Sequence, residues 1–199
     1  MSAYYTPEEQ AILLRIAREA LEAATRGEKP ALPDLQKLPE ALREPRACFV
    51  TLHTSTGALR GCTGVLTARQ PLAHEVSYTT IQTAFYDPRF PPVQAREVPG
   101  LVIEISVLTP PEELTFQTPE EIPRLLHPLE DGVILVVGNR RATFLPQVWE
   151  RVSDPVEFLD MLCQKMGLLP GCWRQPDVQV YIYHAIVMEE EKRPHAAER

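Results

Sequence analysis

Proline is the residue that most limits what this chain can fold into. There are 20 Pro against 9 Gly among 199 residues, whereas average usage is roughly 5% Pro and 7% Gly. Proline lacks an N–H and clashes with the preceding turn, so it breaks helix interiors and central strands. Long-helix bundles and coiled coils are thereby excluded, and short elements joined by stiff connections are expected. The length suits one large domain or two small ones, since domains run to about 100–200 residues. With 44% apolar and 24% charged residues the chain can bury a core, and wholesale disorder is excluded.

Several prolines sit where they start elements. Thr6-Pro7-Glu8-Glu9 pairs a capping Thr with Pro at the first helical position and Glu three residues on, a capping box. Ile12, Leu13, Ile16, Ala17, Ala20, Leu21 and Ala24 follow at helical spacing, and Gly27 ends the run. Pro30, Pro33, Pro39 and Pro45 make a stiff connector with room for one turn near Glu40. Ala47–His53 and Ala58–Gly61 read as strands around Ser55-Thr56-Gly57, and Leu101–Leu108 alternates around Glu104 and Ser106. Pro71 opens a helix through Phe85, weakened by its Val and Thr content. Thr118-Pro119-Glu120-Glu121 repeats the capping box, and Asp154-Pro155-Val156-Glu157 starts a helix that Gly167 stops. Gly132–Val137 and Arg140–Leu145 form a hairpin across Gly138-Asn139. Val178–Met188 reads as one strand, and 189–199 as a frayed charged tail. Strands in hairpins with helices between the groups indicate an α+β fold with a mainly antiparallel sheet. Residues 1–188 are expected to form a single domain, with room for two interleaved subdomains.

The net charge of -7 argues against gripping nucleic acid through phosphates. No run approaches a membrane span of roughly 18–20 apolar residues, and the start MSAYYTPEEQ lacks signal-peptide features, so a cytoplasmic location is expected. Cys48, Cys62, Cys163 and Cys172 are then expected as thiols. No CxxC and no His pair at ligand spacing occurs, so neither a metal nor a cofactor of the chain's own is expected.

Leu59-Arg60-Gly61-Cys62-Thr63-Gly64 is the segment best suited to chemistry. Gly61 and Gly64 would permit positive φ or a close backbone approach, and adjacent N–H groups could form an anion nest. A guanidinium such as Arg60 favours thiolate, so Cys62 is a candidate nucleophile or covalent acceptor. The competing reading is a small buried residue closing a strand, which is favoured while no base is identified. His53, His74, His127 and His184 are the candidate bases, and spacing chooses none of them. In Asp87-Pro88-Arg89-Phe90-Pro91-Pro92, Asp87 and Arg89 form either a preorganised binding pair or an internal bridge fixing a proline turn. Arg140-Arg141 reads as a solvated hairpin tip.

Cys48-Phe49-Val50-Thr51-Leu52 leading to Arg60-Gly61-Cys62-Thr63-Gly64 resembles the signature of the AMMECR family. Phe85–Pro92, Ile105–Thr109, Asp131–Leu135, Arg141–Trp149 and Lys165–Leu168 agree in the same order, so the resemblance covers almost the whole chain. It departs at Thr63, Val65 and Met166, where an aliphatic residue, Thr and a small residue are usual. The resemblance implies an α+β fold with an antiparallel sheet flanked by helices and a smaller β-rich subdomain. It implies no settled reaction. It implies association with a Memo-type protein and a radical SAM protein, the AmmeMemoRadiSam system, with any SAM or iron–sulfur chemistry on the partner. Two functions follow: an enzyme using Cys62, with Arg60, Gly61, Gly64, Asp87 and Arg89 binding, or a non-catalytic partner module.

Overall fold

A computed structural model describes residues 4–191. Its α-helices are α1 (Pro7–Thr25), α2 (Glu40–Arg43), α3 (Leu72–Tyr86), α4 (Ile122–Leu125) and α5 (Pro155–Lys165). Its strands are β1 (Cys48–Thr54), β2 (Leu59–Gly64), β3 (Leu101–Leu108), β4 (Glu112–Glu113), β5 (Gly132–Val137), β6 (Arg140–Phe144), β7 (Gln179–Tyr183) and β8 (Ala185–Glu189). The fold is α+β, with two four-stranded sheets. The chain divides into two compact units, one formed up to Leu108 and again from Ile186, the other from Thr109 to Ala185.

In the first unit the sheet order is β2-β1-β3-β8, and β1 pairs antiparallel with both β2 and β3. Alternation gives one face of this sheet Val50, Leu52, Ile103 and Ile105, all fully buried with Leu13, Leu21, Leu72 and Val76 of α1 and α3. The capping box at α1 is complete: Thr6 Oγ1 accepts from Glu9 N, and Glu9 accepts from Thr6 N. The Thr residues that weaken α3 by propensity are used inside it. Thr80 and Thr83 hydroxyls donate back to the carbonyls of Val76 and Thr79, which satisfies them in a buried helix.

In the second unit the order is β4-β7-β5-β6, all antiparallel. The hairpin turns at Gly138-Asn139, with Val137 opposite Arg140 and Gly138 at φ 57°. Trp149 stacks on Phe158 at 3.7 Å, and its indole N–H donates to the Asp131 carbonyl.

Four expectations are corrected. The run 178–188 is two strands in different sheets, broken at His184. There Thr109 N donates to the His184 carbonyl, and His184 N to the Thr109 hydroxyl, which stops the ladder. Thr118 makes no cap bond; Glu121 instead accepts from Gln117 N, and only a short 3-10 turn precedes α4. The tail begins later than 189: Glu189 ends β8, and Glu190 is tied to Arg18 and Ile103. The rest of the expected frayed tail, from residue 192, lies outside the described residues.

The fourth correction concerns the cysteines, since Cys163 and Cys172 are joined as a disulfide nine residues apart, both buried. Closing so short a loop removes unfolded-state entropy worth about 2–3 kcal/mol. Reduction, or Cys172→Ser, is therefore expected to lower stability by about that amount. Urea unfolding with and without dithiothreitol checks it, and a thiol count of two in the untreated unfolded chain is expected.

Candidate functional site

The second face of the first unit's sheet carries the signature cysteine. Register places Cys62 opposite Thr51, and Thr51 opposite Glu104, so the three side chains form a row across β2, β1 and β3. The Thr51 hydroxyl lies 3.3 Å from Cys62 Sγ. His53 follows two residues after Thr51 and so projects to the same face, with Nε2 3.7 Å from a Glu104 carboxylate oxygen. Cys62 is partly exposed, whereas Cys48, one parity off, faces the core. Burial pushes the Cys48 thiol up to about 12. The strand's alternation thus separates an inert thiol from an accessible one.

β2 is an edge strand, and a charged pair closes part of that edge. Val65 N donates to the Cys48 carbonyl, which makes 48/65, 50/63 and 52/61 the hydrogen-bonded pairs and turns the N–H and C=O of Cys62 outward. Asp87 Oδ2 accepts the Cys62 N–H at 2.9 Å, and Arg89 Nη2 donates to the Cys62 carbonyl at 2.9 Å. Arg89 also grips Asp87 twice, Nε to Oδ1 at 2.9 Å and Nη2 to Oδ2 at 2.7 Å. The pair stands where the next strand would stand. Its bonds from Arg89 hold the buried Asp87 carboxyl well below the usual carboxylate range, helped by the Cys62 N–H. Asp87 in turn raises the Arg89 guanidinium, as does the Cys62 side chain nearby. The Asp–Arg bridge anticipated in the proline turn is present, and it clamps the signature cysteine as well.

Arg60 lies elsewhere. Its Nε donates to Glu97 at 2.8 Å and its Nη2 to the Pro91 carbonyl at 3.0 Å, with only 12% of the side chain exposed. This pairing holds the Glu97 carboxyl below its ordinary value. The glycines serve close approach. Neither Gly61 nor Gly64 has positive φ, and the Cys62 N–H is taken by Asp87, so the anticipated anion nest is absent. A Cβ on Gly61 would press on the Thr83 carbonyl at 3.0 Å, and one on Gly64 would overlap the Phe49 ring and the Cys48 carbonyl. Next to them, Thr63 and Thr83 hydroxyls bond at 2.7 Å.

Of the candidate histidines, the fold brings His53 to this face. His74 bonds the Pro33 carbonyl, and His127 and His184 both face the buried Asp131 of the second unit. Thr51, Glu104 and Glu97 had no site role in the sequence reading, although Thr51 with His53, and Glu104 with Ser106, place polar residues two apart on one face of β1 and β3, a signal that could have found them. Among the described residues no group of three or more His, Cys, Asp or Glu is placed to hold a metal ion, and no helix is long and apolar enough to cross a membrane.

Known proteins resemble the chain over nearly its full length. A protein of Methanothermobacter thermautotrophicus is 41% identical over 186 residues, which is 92% of this chain and 95% of that one. Protein MJ0810 of Methanocaldococcus jannaschii is 38% identical over 187 residues, 93% of this chain and 92% of that one. The crystal structure of the uncharacterized protein PH0010 from Pyrococcus horikoshii superposes with a TM-score of 0.76 at 39% identity, covering 94% of each chain. The AMMECR1 family model matches residues 14–188. Signature, fold and relatives agree, and the chain belongs to the AMMECR1 family.

Proposed function

We propose that the protein is an enzyme whose reaction passes through the Cys62 thiol. The observation that carries this reading is the placement of Cys62, His53 and Glu104 on one face of three neighbouring strands. They offer a nucleophile, a candidate base and a carboxylate 3.7 Å from that base. In the step, a water relays the thiol proton to His53, and the sulfur pair forms a bond to an electrophilic carbon while that carbon's leaving group departs. Both arginines are paired, Arg60 with Glu97 and Arg89 with Asp87, but the Arg60 side chain is 12% exposed and that of Arg89 55%, so contact with an anionic part of the substrate falls to Arg89. Asp87 holds Arg89 and the Cys62 backbone, while Gly61 and Gly64 let β2 lie close to Thr83 and Phe49. Family membership supports the accompanying reading that the protein acts with a Memo-type protein and a radical SAM protein. A second reading, a non-catalytic partner-binding module, is favoured by the exposed apolar residues Leu59, Leu66, Tyr78 and Tyr86 on and beside β2 and α3.

Cys62→Ala tests the enzymatic reading in a cell that depends on the gene. The side chain is small and partly exposed, so the melting temperature should change little while the dependent phenotype is lost. His53→Gln should weaken the phenotype as well. Full complementation by a folded Cys62→Ala protein would sink the enzymatic reading.

A further inference from the structure

The Asp87–Arg89 clamp covers only one rung of the β2 edge. By the same register, Gly64 also turns its N–H and C=O outward, and the bonds from Asp87 and Arg89 end at Cys62. An uncovered edge rung is a template for another extended backbone. Beside it lies a cleft of about 280 Å³ between the end of β2 and the outer side of α3. Tyr78, Gln82 and Tyr86 form its helical wall. They stand four residues apart, so they make one row along α3. The tyrosines are 50% and 68% exposed. Arg69 stands at the cleft and makes no ion pair among the described residues.

The composition is that of a recognition surface. Tyrosine rings give large contact area at low entropic cost, and arginine is enriched at interface hot spots. Two of the nine large apolar residues exposed among the described ones, Tyr78 and Tyr86, line this cleft, and Leu66 follows Gly64 by two residues; such clustering marks an interaction site. Gly64 has no side chain to hold a neighbour away. The requirement that Gly64 be glycine comes from Phe49 on one face, and it leaves the edge bare as a consequence.

We propose that this edge is a docking site for a short extended segment of a partner protein that carries a carboxylate. The segment adds one rung to β2 by exchanging backbone hydrogen bonds with Gly64. It lies against Tyr78 and Tyr86 and places an Asp or Glu side chain on Arg69, the recognition mode of strand addition. The clamp at Cys62 ends the addition after that rung, so the edge accepts a peptide without extending indefinitely. This proposal rests on the partner-binding reading and is independent of any reaction at Cys62.

The test uses the full chain, ¹⁵N-labelled, titrated with the capped pentapeptide Thr-Glu-Thr-Val-Thr, whose central residue pairs with Gly64 and whose Glu and Val flank it on the α3 side. Binding in the millimolar range or tighter is expected, about -4 kcal/mol or better. It should shift the amide signals of Gly64, Val65, Arg69 and Gln82. N-methylation of the central peptide residue removes a backbone donor and should abolish the shifts. Lys in place of the peptide Glu should weaken binding several-fold, and Arg69→Gln should erase that preference. Tyr78→Ala changes an exposed ring, so it should leave the fold intact and weaken binding. No shift at about 5 mM peptide would overturn the proposal. So would shifts that survive N-methylation, or a Glu preference that survives Arg69→Gln. Because nothing in the titration depends on the thiol, its failure leaves the Cys62 reading standing, and loss of the Cys62 reading leaves this one standing.

Discussion

Asp87→Asn is expected to lower the stability of the first unit by about 2–4 kcal/mol, as for other broken buried ion pairs. The substitution keeps size and shape, so the cost is electrostatic. An amide can accept from either the Cys62 N–H or Arg89, but its NH₂ group then faces a guanidinium or an amide donor. Two of the bonds at the β2 edge are lost, and a cation is left without its counter-charge. Arg89 is half exposed and recovers water, which keeps the cost below that of a fully enclosed pair. The pH dependence carries a defined sign. The folded carboxyl titrates below its unfolded value of about 4, so its contribution is complete above that value and is lost as pH falls through the folded one. The wild-type protein should therefore lose stability on acidification below about pH 4, and Asp87→Asn should show a shallower loss there. Urea unfolding at pH 7 and pH 3 measures both, with equal slopes in the two proteins as evidence against the clamp.

Glu190→Ala is expected to cost about 3 kcal/mol or more, the usual result of stranding a buried charge. Arg18 has only 7% of its side chain exposed, on the helix that packs against the sheet. Its guanidinium donates to the carbonyls of Val98 and Leu101 at 3.0 and 2.8 Å and pairs with both Glu190 oxygens. Removing the carboxylate leaves the cation with carbonyl partners alone, and it also frees Ile103 N, which donates to Glu190 Oε2 at 3.1 Å. The control is Glu19→Ala, which breaks the exposed Arg15–Glu19 pair and should change stability by less than about 0.5 kcal/mol. Thermal unfolding of the two variants side by side separates the buried pair from the surface one. Equal effects would contradict the role given to Glu190.

These two pairs also show where sequence reading stops. Local chemistry was legible: the Thr6 capping box, the Asp154 cap, which accepts from Val156 and Glu157, and the Gly138-Asn139 hairpin all use bonds within four residues. The α+β class followed from the order of such elements. Glu190 was not legible, because its partner is 172 positions away and a run of three glutamates reads as solvated. The break at His184 was invisible for a related reason, since β7 and β8 alternate alike and only the Thr109 contact divides them. The disulfide was not legible, because a location expected from the lack of a signal segment and a membrane span pointed to thiols, while the pairing of Cys163 with Cys172 depends on how α5 and the turn after it fold together. Cys62 itself was found through its neighbours in sequence, and the Asp87–Arg89 bridge was anticipated as a local turn feature. What joins the two is the pairing register of β1 and β2, a non-local fact, and it also assigns the nearby guanidinium to Arg89 instead of Arg60.

Under the proposed function, the β2 edge and the polar face of the sheet present Cys62 as a reactive thiol. The most direct measurement is the second-order rate of iodoacetamide alkylation at each cysteine, followed by mass spectrometry in the folded protein at pH 7.5. Cys62 should be labelled first and nearly alone, with Cys48 protected by burial and Cys163 and Cys172 by their bond. Its rate should change in Arg89→Gln, because Arg89 holds the Cys62 carbonyl and the Asp87 carboxylate that fix this rung of β2. Labelling of Cys62 no faster than in the urea-unfolded chain, and unchanged by Arg89→Gln, would contradict the account.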